Sequence, residues 1–290
     1  AAVLADSHEN ARAAALLITT DLKELEAVVT IDQAMAKKSF LDEPIIVSTG
    51  DSNKAIDSSK NKLDGIISIG GQEHYYLEGQ VAFAIPTEDN EMVVHSSTQN
   101  PTEVQHLVAH VLDVPQNAIE VVTRRMGGGF GGKETDSSQL ACVCAIFANQ
   151  TKLPIKARLS RKDDILMTGK RHDFKANYKV GYDDDGRILG IEVDLAARCG
   201  YSLDLSKAIV SRALFHADNA YFLPNATFRG FLCKTNTASN TAFRGFGGPQ
   251  GMLAIENIIE EIAMNIGVDP LEIRQLNYYQ KETNNVTPYD

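Results

Sequence analysis

Phe174-Lys175-Ala176-Asn177-Tyr178-Lys179-Val180-Gly181-Tyr182, then Asp183-Asp184-Asp185-Gly186, then Arg187 through Ala197, carries the clearest structural signal in the chain. Apolar and polar residues alternate on both sides of an acidic turn that ends in glycine. That pattern predicts two antiparallel strands joined by a tight turn. Helical patterns flank it. Asn100-Pro101-Thr102-Glu103 supplies an N-cap, a proline at the first helical position and a closing acid, and Val104, Leu107, Val108, Val111 and Leu112 follow as one apolar stripe. Met252, Ile255, Ile258, Ile259 and Ile262 repeat the helical spacing, and Asp269-Pro270-Leu271-Glu272 caps a last helix. An antiparallel pair among mixed strands and helices makes the class α+β, with mixed sheets and packed helices.

Further out, His8 to Thr19 reads as a helix and Ala27 to Ile31 as a β-branched strand, with Thr30 and Gln33 forming a capping box. Residues 47–64 are polar and rich in Ser, Asp and Lys, and are expected to be a linker. Strands are expected at Gly65–Ile69, Gln80–Ile85, Ala118–Thr123 and Pro154–Ser160, and a helix from about Asp136 to Asn149. The domain expectation is a partial small α/β unit over 1–46, the linker 47–64 and a main domain over 65–290.

The 290 residues suffice for one large or two ordinary domains. A net charge of −10 argues against broad binding to nucleic acid or to an anionic membrane surface. No apolar run is long enough to span a bilayer, and no n-region with h-region opens the chain, so a signal peptide is expected to be absent or already removed. Four cysteines make no disulfide framework, so the expected location is cytoplasmic. The start Ala1-Ala2-Val3 lacks a methionine, as in a chain cut from a longer one.

Two glycine-aromatic loops carry the chemistry. Met126-Gly127-Gly128-Gly129-Phe130-Gly131-Gly132-Lys133-Glu134 lies between a strand and a helix, and its glycines let a ligand approach backbone amides. Gly127, Gly132 and Lys133 match a phosphate loop except at its last residue, where Glu134 replaces a hydroxyl; a nucleotide-binding module using Gly127–Lys133 is therefore one alternative. Asn240 to Gln250, with Arg244 between Phe243 and Phe246, is the second loop. Together the two favour a bound cofactor with a large polar edge, and both are expected to line one groove. His106 and His110 stand at helical spacing for zinc but lack a third ligand, and Cys142 and Cys144 read as core. Arg124-Arg125 and Lys170-Arg171-His172 read as solvated basic edges.

Gly70 to Glu78, Ser97-Thr98-Gln99-Asn100, Met126 to Glu134, Arg212 to His216 and Asn240 to Gln250 closely resemble, in the same order, the molybdenum-binding part of the xanthine dehydrogenase family of molybdenum hydroxylases. The resemblance implies that 1–46 is the tail of a small hammerhead-like domain and 65–290 a first molybdopterin-binding domain. It implies a molybdenum–molybdopterin cofactor held through hydrogen bonds and shape, with Gln99, Gly129, Phe130, Gly131 and Arg244 as cofactor contacts. Of these, Gln99, Phe130 and Arg244 would surround the metal without ligating it. Glu134, Arg212 and Phe246 would bind substrate. Aldehyde-oxidising members do not usually carry the Glu and the Arg together, so the pair implies a purine, hypoxanthine or xanthine, oxidised to urate. The family's general-base glutamate belongs to a second molybdopterin-binding domain beyond the position of Asp290, so no catalytic residue is assigned within the chain. That domain, with iron–sulfur (2Fe–2S) and flavin (FAD) modules, would be its partner, and the chain alone is expected to be inactive and to lack the cofactor. A non-catalytic scaffold domain is the remaining alternative.

Overall fold

A computed structural model describes residues 1–286. In chain order the elements are α1 (His8–Ala15), α2 (Ile31–Lys37), β1 (Ile45–Thr49), α3 (Ser52–Ser58), β2 (Asn61–Ile69), β3 (Val81–Pro86), β4 (Met92–Ser96), α4 (Pro101–Leu112) and β5 (Ile119–Val122). There follow α5 (Ser137–Thr151), β6 (Ile155–Arg158), α6 (Arg161–Met167), β7 (Phe174–Tyr182), β8 (Ile188–Gly200), α7 (Ser206–Leu214), β9 (Ala226–Lys234), α8 (Gly248–Ile266) and α9 (Pro270–Asn277). The chain forms two compact units: Ala1–Ala27 with Tyr75–Thr168, and Val28–His74 with Gly169 onward.

The first unit holds a mixed four-stranded sheet in the order β5-β4-β3-β6, in which β4 and β5 run parallel and the other pairs antiparallel. α4 and α5 bury their apolar faces on it. Val104 and Val108 of α4 and Ala141, Cys144, Ala145 and Ala148 of α5 meet Ala82, Ala84 and Val94 of the strands. Small residues on α5 and the sheet allow the close approach that positions the loop before α5. The cap expected at Asn100 is present, its side chain accepting from the amide of Glu103.

The second unit holds a mixed five-stranded sheet, β1-β9-β8-β7-β2. The expected hairpin is β7 and β8, antiparallel from Phe174 opposite Ala197 onward. α8 buries Ile255, Ile258, Ile259 and Ile262 against this sheet's core. At about 1.5–3 kcal/mol for each fully buried isoleucine, the stripe dominates the docking of α8.

Two expectations fail here. Residues 47–64 are no linker: they complete β1, form α3 and begin β2. Their polarity reflects an edge position, where Ile46 faces solvent and Ser52 is buried by hydrogen bonds to Glu192 and Thr227. In the structure Val28–His74 packs with the chain from Gly169 onward; the last four residues of the expected 65–290 domain lie outside the described residues. The strand expected at Ala27–Ile31 is also absent. Thr30 instead caps α2 through the capping box with Gln33, and that local bond overrides β propensity.

Candidate functional site

In the first unit the loop between β5 and α5 closes over Gln99, which lies between β4 and α4. The Gln99 amide donates to Lys133 O at 2.8 Å. Its side-chain Oε1 accepts from the amides of Gly131 (2.8 Å) and Lys133 (3.3 Å). Because backbone N–H groups can only donate, Oε1 must face the loop, and the NH2 of Gln99 is turned away from it. Gln99 is exposed, and its Nε2 has no acceptor among the described residues. A Cβ at Gly129 would lie 2.5 Å from Gln99 Oε1, so this position tolerates only glycine without displacing the amide. Gly128 (φ +94°), Phe130 (φ +56°) and Gly131 (φ +104°) take left-handed backbone. The amides of Gly128, Gly129 and Phe130 find no acceptor among the described residues. Successive unpaired amides with such dihedrals form a donor concavity suited to anionic or oxo groups. The Phe130 ring is half exposed, and Glu134 is half-buried at the loop's end.

Lys133 is fully buried. Its Nζ donates to Ser97 Oγ at 2.8 Å and to Glu78 Oε2 at 3.2 Å, and lies 4.8 Å from the centre of the Tyr76 ring. Burial holds the ammonium pKa below its usual range, although Glu78 opposes the shift. For Glu78 burial pushes upward, but hydrogen bonds from Ser97, Gly127 and Lys133 outweigh it and hold the carboxyl below its usual range. Lys133 therefore does not reach out to a phosphate as a phosphate-loop lysine does, and the nucleotide alternative loses its key cation.

In the second unit the loop 240–248 leads into α8 and packs on α7. A Cβ at Gly247 (φ +92°) would lie 2.1 Å from Ile209 O, and one at Gly251 2.1 Å from Ala213 O. This close approach seats Phe246 (φ +49°, half-buried) and the exposed Arg244 beside the helix that carries Arg212. Arg212 is exposed, with Nε donating to His216 Nε2 at 3.4 Å. Two residues missed in the sequence hold the loop's backbone. His74 Nε2 donates to Ala242 O at 2.6 Å and its ring stacks on Phe243 at 4.8 Å. Arg171 Nη2 donates to Arg244 O at 2.7 Å, with its guanidinium 4.0 Å from the Phe243 ring centre. Arg171 and His172 are buried, which overturns their expected place on a solvated edge; Arg124 and Arg125 are exposed as expected. Basic side chains can be buried here because carbonyls and aromatic faces receive them.

Gln99, Gly129, Phe130, Gly131 and Glu134 thus gather in the first unit, and Arg212, Arg244 and Phe246 in the second. His106 and His110 are both exposed on α4, and among the described residues no three His, Cys, Asp or Glu cluster to hold a metal. Cys144 is buried in the core and Cys142 packs against it. No helix of the described residues is long and apolar enough to cross a membrane.

Residues 37–278 match the family model of the molybdopterin cofactor-binding domain. The chain is 44% identical over 281 residues to a xanthine dehydrogenase/oxidase of Gallus gallus, covering 97% of this chain and 21% of that protein. It is 42% identical to a nicotinate hydroxylase of Emericella nidulans, covering 96% of this chain and 21% of that protein. The solved aldehyde oxidoreductase of Desulfovibrio gigas superposes with a TM-score of 0.89 at 28% identity, over 98% of this chain and 32% of that one. The chain therefore spans about a fifth of the length of the two sequence relatives and about a third of the solved chain, and it belongs to the molybdopterin cofactor-binding domain family, in the form found in xanthine-dehydrogenase-type molybdenum hydroxylases.

Proposed function

We propose that the protein containing this chain is a molybdenum hydroxylase that oxidises a purine, hypoxanthine or xanthine to urate. The observation that carries the reading is Gln99: its oxygen is fixed by two loop amides, so its NH2 is an uncharged donor held ready in the open. The residues present suit a molybdenum–molybdopterin group. Three consecutive unpaired amides at Gly128, Gly129 and Phe130 and the Gln99 NH2 are all donors, as an oxo- and sulfur-rich centre requires. When bound, that group supplies the two-electron oxidation of a ring carbon. The chain's own residues then act as follows. Gln99 donates to an oxygen of the metal centre. Phe130 and Arg244 each contact that group. Phe246 stacks on a flat ring. Glu134 bonds ring nitrogens, and Arg212 steadies negative charge that develops on the ring as it is attacked. Further proposals are that the general base and most pterin contacts come from the rest of the protein, that 2Fe–2S and FAD modules carry electrons away, and that the chain alone is inactive and loses the cofactor.

A second reading is a heteroaromatic acid such as nicotinate. The likeness to a nicotinate hydroxylase supports it, and an exposed guanidinium at Arg212 suits a carboxylate. The test is kcat/KM of the full-length protein for xanthine, nicotinate and an aromatic aldehyde, in wild type, Arg212→Ala and Glu134→Val. Arg212→Ala should slow xanthine on the order of a hundredfold, the usual loss of one donor to developing charge. Glu134→Val should also slow xanthine while sparing the aldehyde. Equal losses on all substrates would remove the basis for a purine, and wild-type preference for nicotinate would select the second reading.

A further inference from the structure

Gln99 is held by the loop, and the loop is held by a charge pair, the buried Lys133 and the partly exposed Glu78, for which the proposed chemistry has no direct use. A single carboxylate oxygen, Glu78 Oε2, takes three donors: Ser97 Oγ at 2.6 Å, the Gly127 amide at 2.9 Å and Lys133 Nζ at 3.2 Å. The Glu78 amide donates in return to Gly127 O at 3.1 Å, so Gly127 is gripped by both its N–H and its carbonyl. Gly127 and Lys133 are the two ends of the glycine loop. One carboxylate thus closes the loop at its base. At the far end Lys133 meets Gln99 through both backbone groups, its carbonyl accepting from Gln99 N and its amide donating to Gln99 Oε1. A second brace lies beneath: Gln80 Nε2 donates to Gly132 O at 2.8 Å and to Tyr76 Oη at 3.0 Å, and Tyr76 donates to the buried Asp164 at 2.6 Å. Such a pair, with only the lysine buried, is a poor means of adding stability, but the buried ammonium admits few geometries, because each of its donors must find an acceptor.

We propose that Glu78 and Lys133 form a latch that positions Gln99, keeping its carbonyl on the loop and its NH2 turned outward. They are positioning residues and touch neither cofactor nor substrate. The role rests on Gln99 being the donor to the metal centre. It accounts for the lysine that the sequence places where a phosphate loop has one: its charge works inward.

The test uses the full-length protein with Glu78→Gln, with Lys133→Met as a second variant should the first fail to fold, each with and without Gln99→Ala. Three readouts are taken: hydrogen exchange of the peptide 127–134 against that of α5, the electron paramagnetic resonance signal of the partly reduced molybdenum, and kcat. Glu78→Gln should speed exchange in the loop at least tenfold and leave α5 and the molybdenum content unchanged. It should lower kcat tenfold or more, and shift the signal in the same direction as Gln99→Ala. Added to Gln99→Ala, it should cost nothing further. Wild-type exchange in the Glu78→Gln loop, or losses that multiply in the double variant, would overturn the latch. Failure of the functional reading looks different. A wild type without molybdenum removes that reading while exchange still decides whether Glu78 holds the loop. A Gln99→Ala variant with wild-type signal and kcat ends the role of Gln99, and the positioning role with it.

Discussion

Gly129→Ala separates stability from function at the glycine loop. The new methyl would lie 2.5 Å from Gln99 Oε1, 2.8 Å from its Cδ and 3.0 Å from its Cγ. These atoms belong to the end of an exposed, flexible side chain, which can swing aside, and Gly129 has no positive φ to strain an alanine. The loss is then the two hydrogen bonds on Oε1, one good at 2.8 Å and one long at 3.3 Å. At about 1 kcal/mol for the first and less for the second, and with water free to replace Oε1, the expected cost is about 1–2 kcal/mol. That corresponds to a fall in Tm of roughly 2–8 °C for a chain of this size. The rate should suffer far more, since a displaced donor to developing charge costs on the order of a hundredfold. Chemical denaturation of the variant and its turnover in the full-length protein give the two numbers. A folded Gly129→Ala protein within about twofold of wild-type turnover would refute the argument that the position of Gln99 matters.

Gly247→Ala should destabilise by about 3 kcal/mol or more, because its Cβ meets the carbonyl of Ile209 at 2.1 Å in left-handed backbone. Gly267→Ala, also at positive φ but with no atom within 4 Å, should cost only about 1 kcal/mol; equal Tm shifts would show that packing of the 240–248 loop on α7 is not the cause. His172 is 1% exposed, and burial pushes its pKa down to about 3 from 6.5. Between those values the unfolded chain binds the proton and the folded one does not. Stability from this group is therefore complete above pH 6.5 and falls by about 1.4 kcal/mol per unit as pH drops toward 3. In urea titrations His172→Gln should flatten the acid limb, and an unchanged slope would remove His172 as its source.

Much of the fold was legible because its signals are local. The cap at Asn100, the isoleucine stripe of α8 and the alternation around Asp183–Gly186 each depend on residues within a few positions, and each appears as expected. β1, α3 and the first half of β2 were not legible, because polar residues at a sheet's edge look the same as a linker. Their order comes from partners far along the chain, such as Ser52 with Glu192 and Thr227. The site divides in the same way. Gln99, Phe130 and Arg244 stood in motifs that could be quoted. Glu78 and Ser97 stood in such motifs too, but their tie to Lys133 spans 55 and 36 positions, and no spacing rule reveals it. Arg171 looked like a surface charge because burial of a guanidinium depends on the Phe243 ring and the Arg244 carbonyl, contributed from more than seventy positions away.

The central claim is that the donors around Gln99 and the glycine loop belong to a site for a molybdenum–molybdopterin group. The most direct measurement is the molybdenum and pterin content of the full-length protein, purified from cells that make the cofactor, beside its Gln99→Ala variant. Stoichiometric molybdenum with pterin in the wild type, and an altered molybdenum resonance signal in the variant at equal metal content, is the predicted result. Full-length protein that is folded but free of both molybdenum and pterin would contradict it.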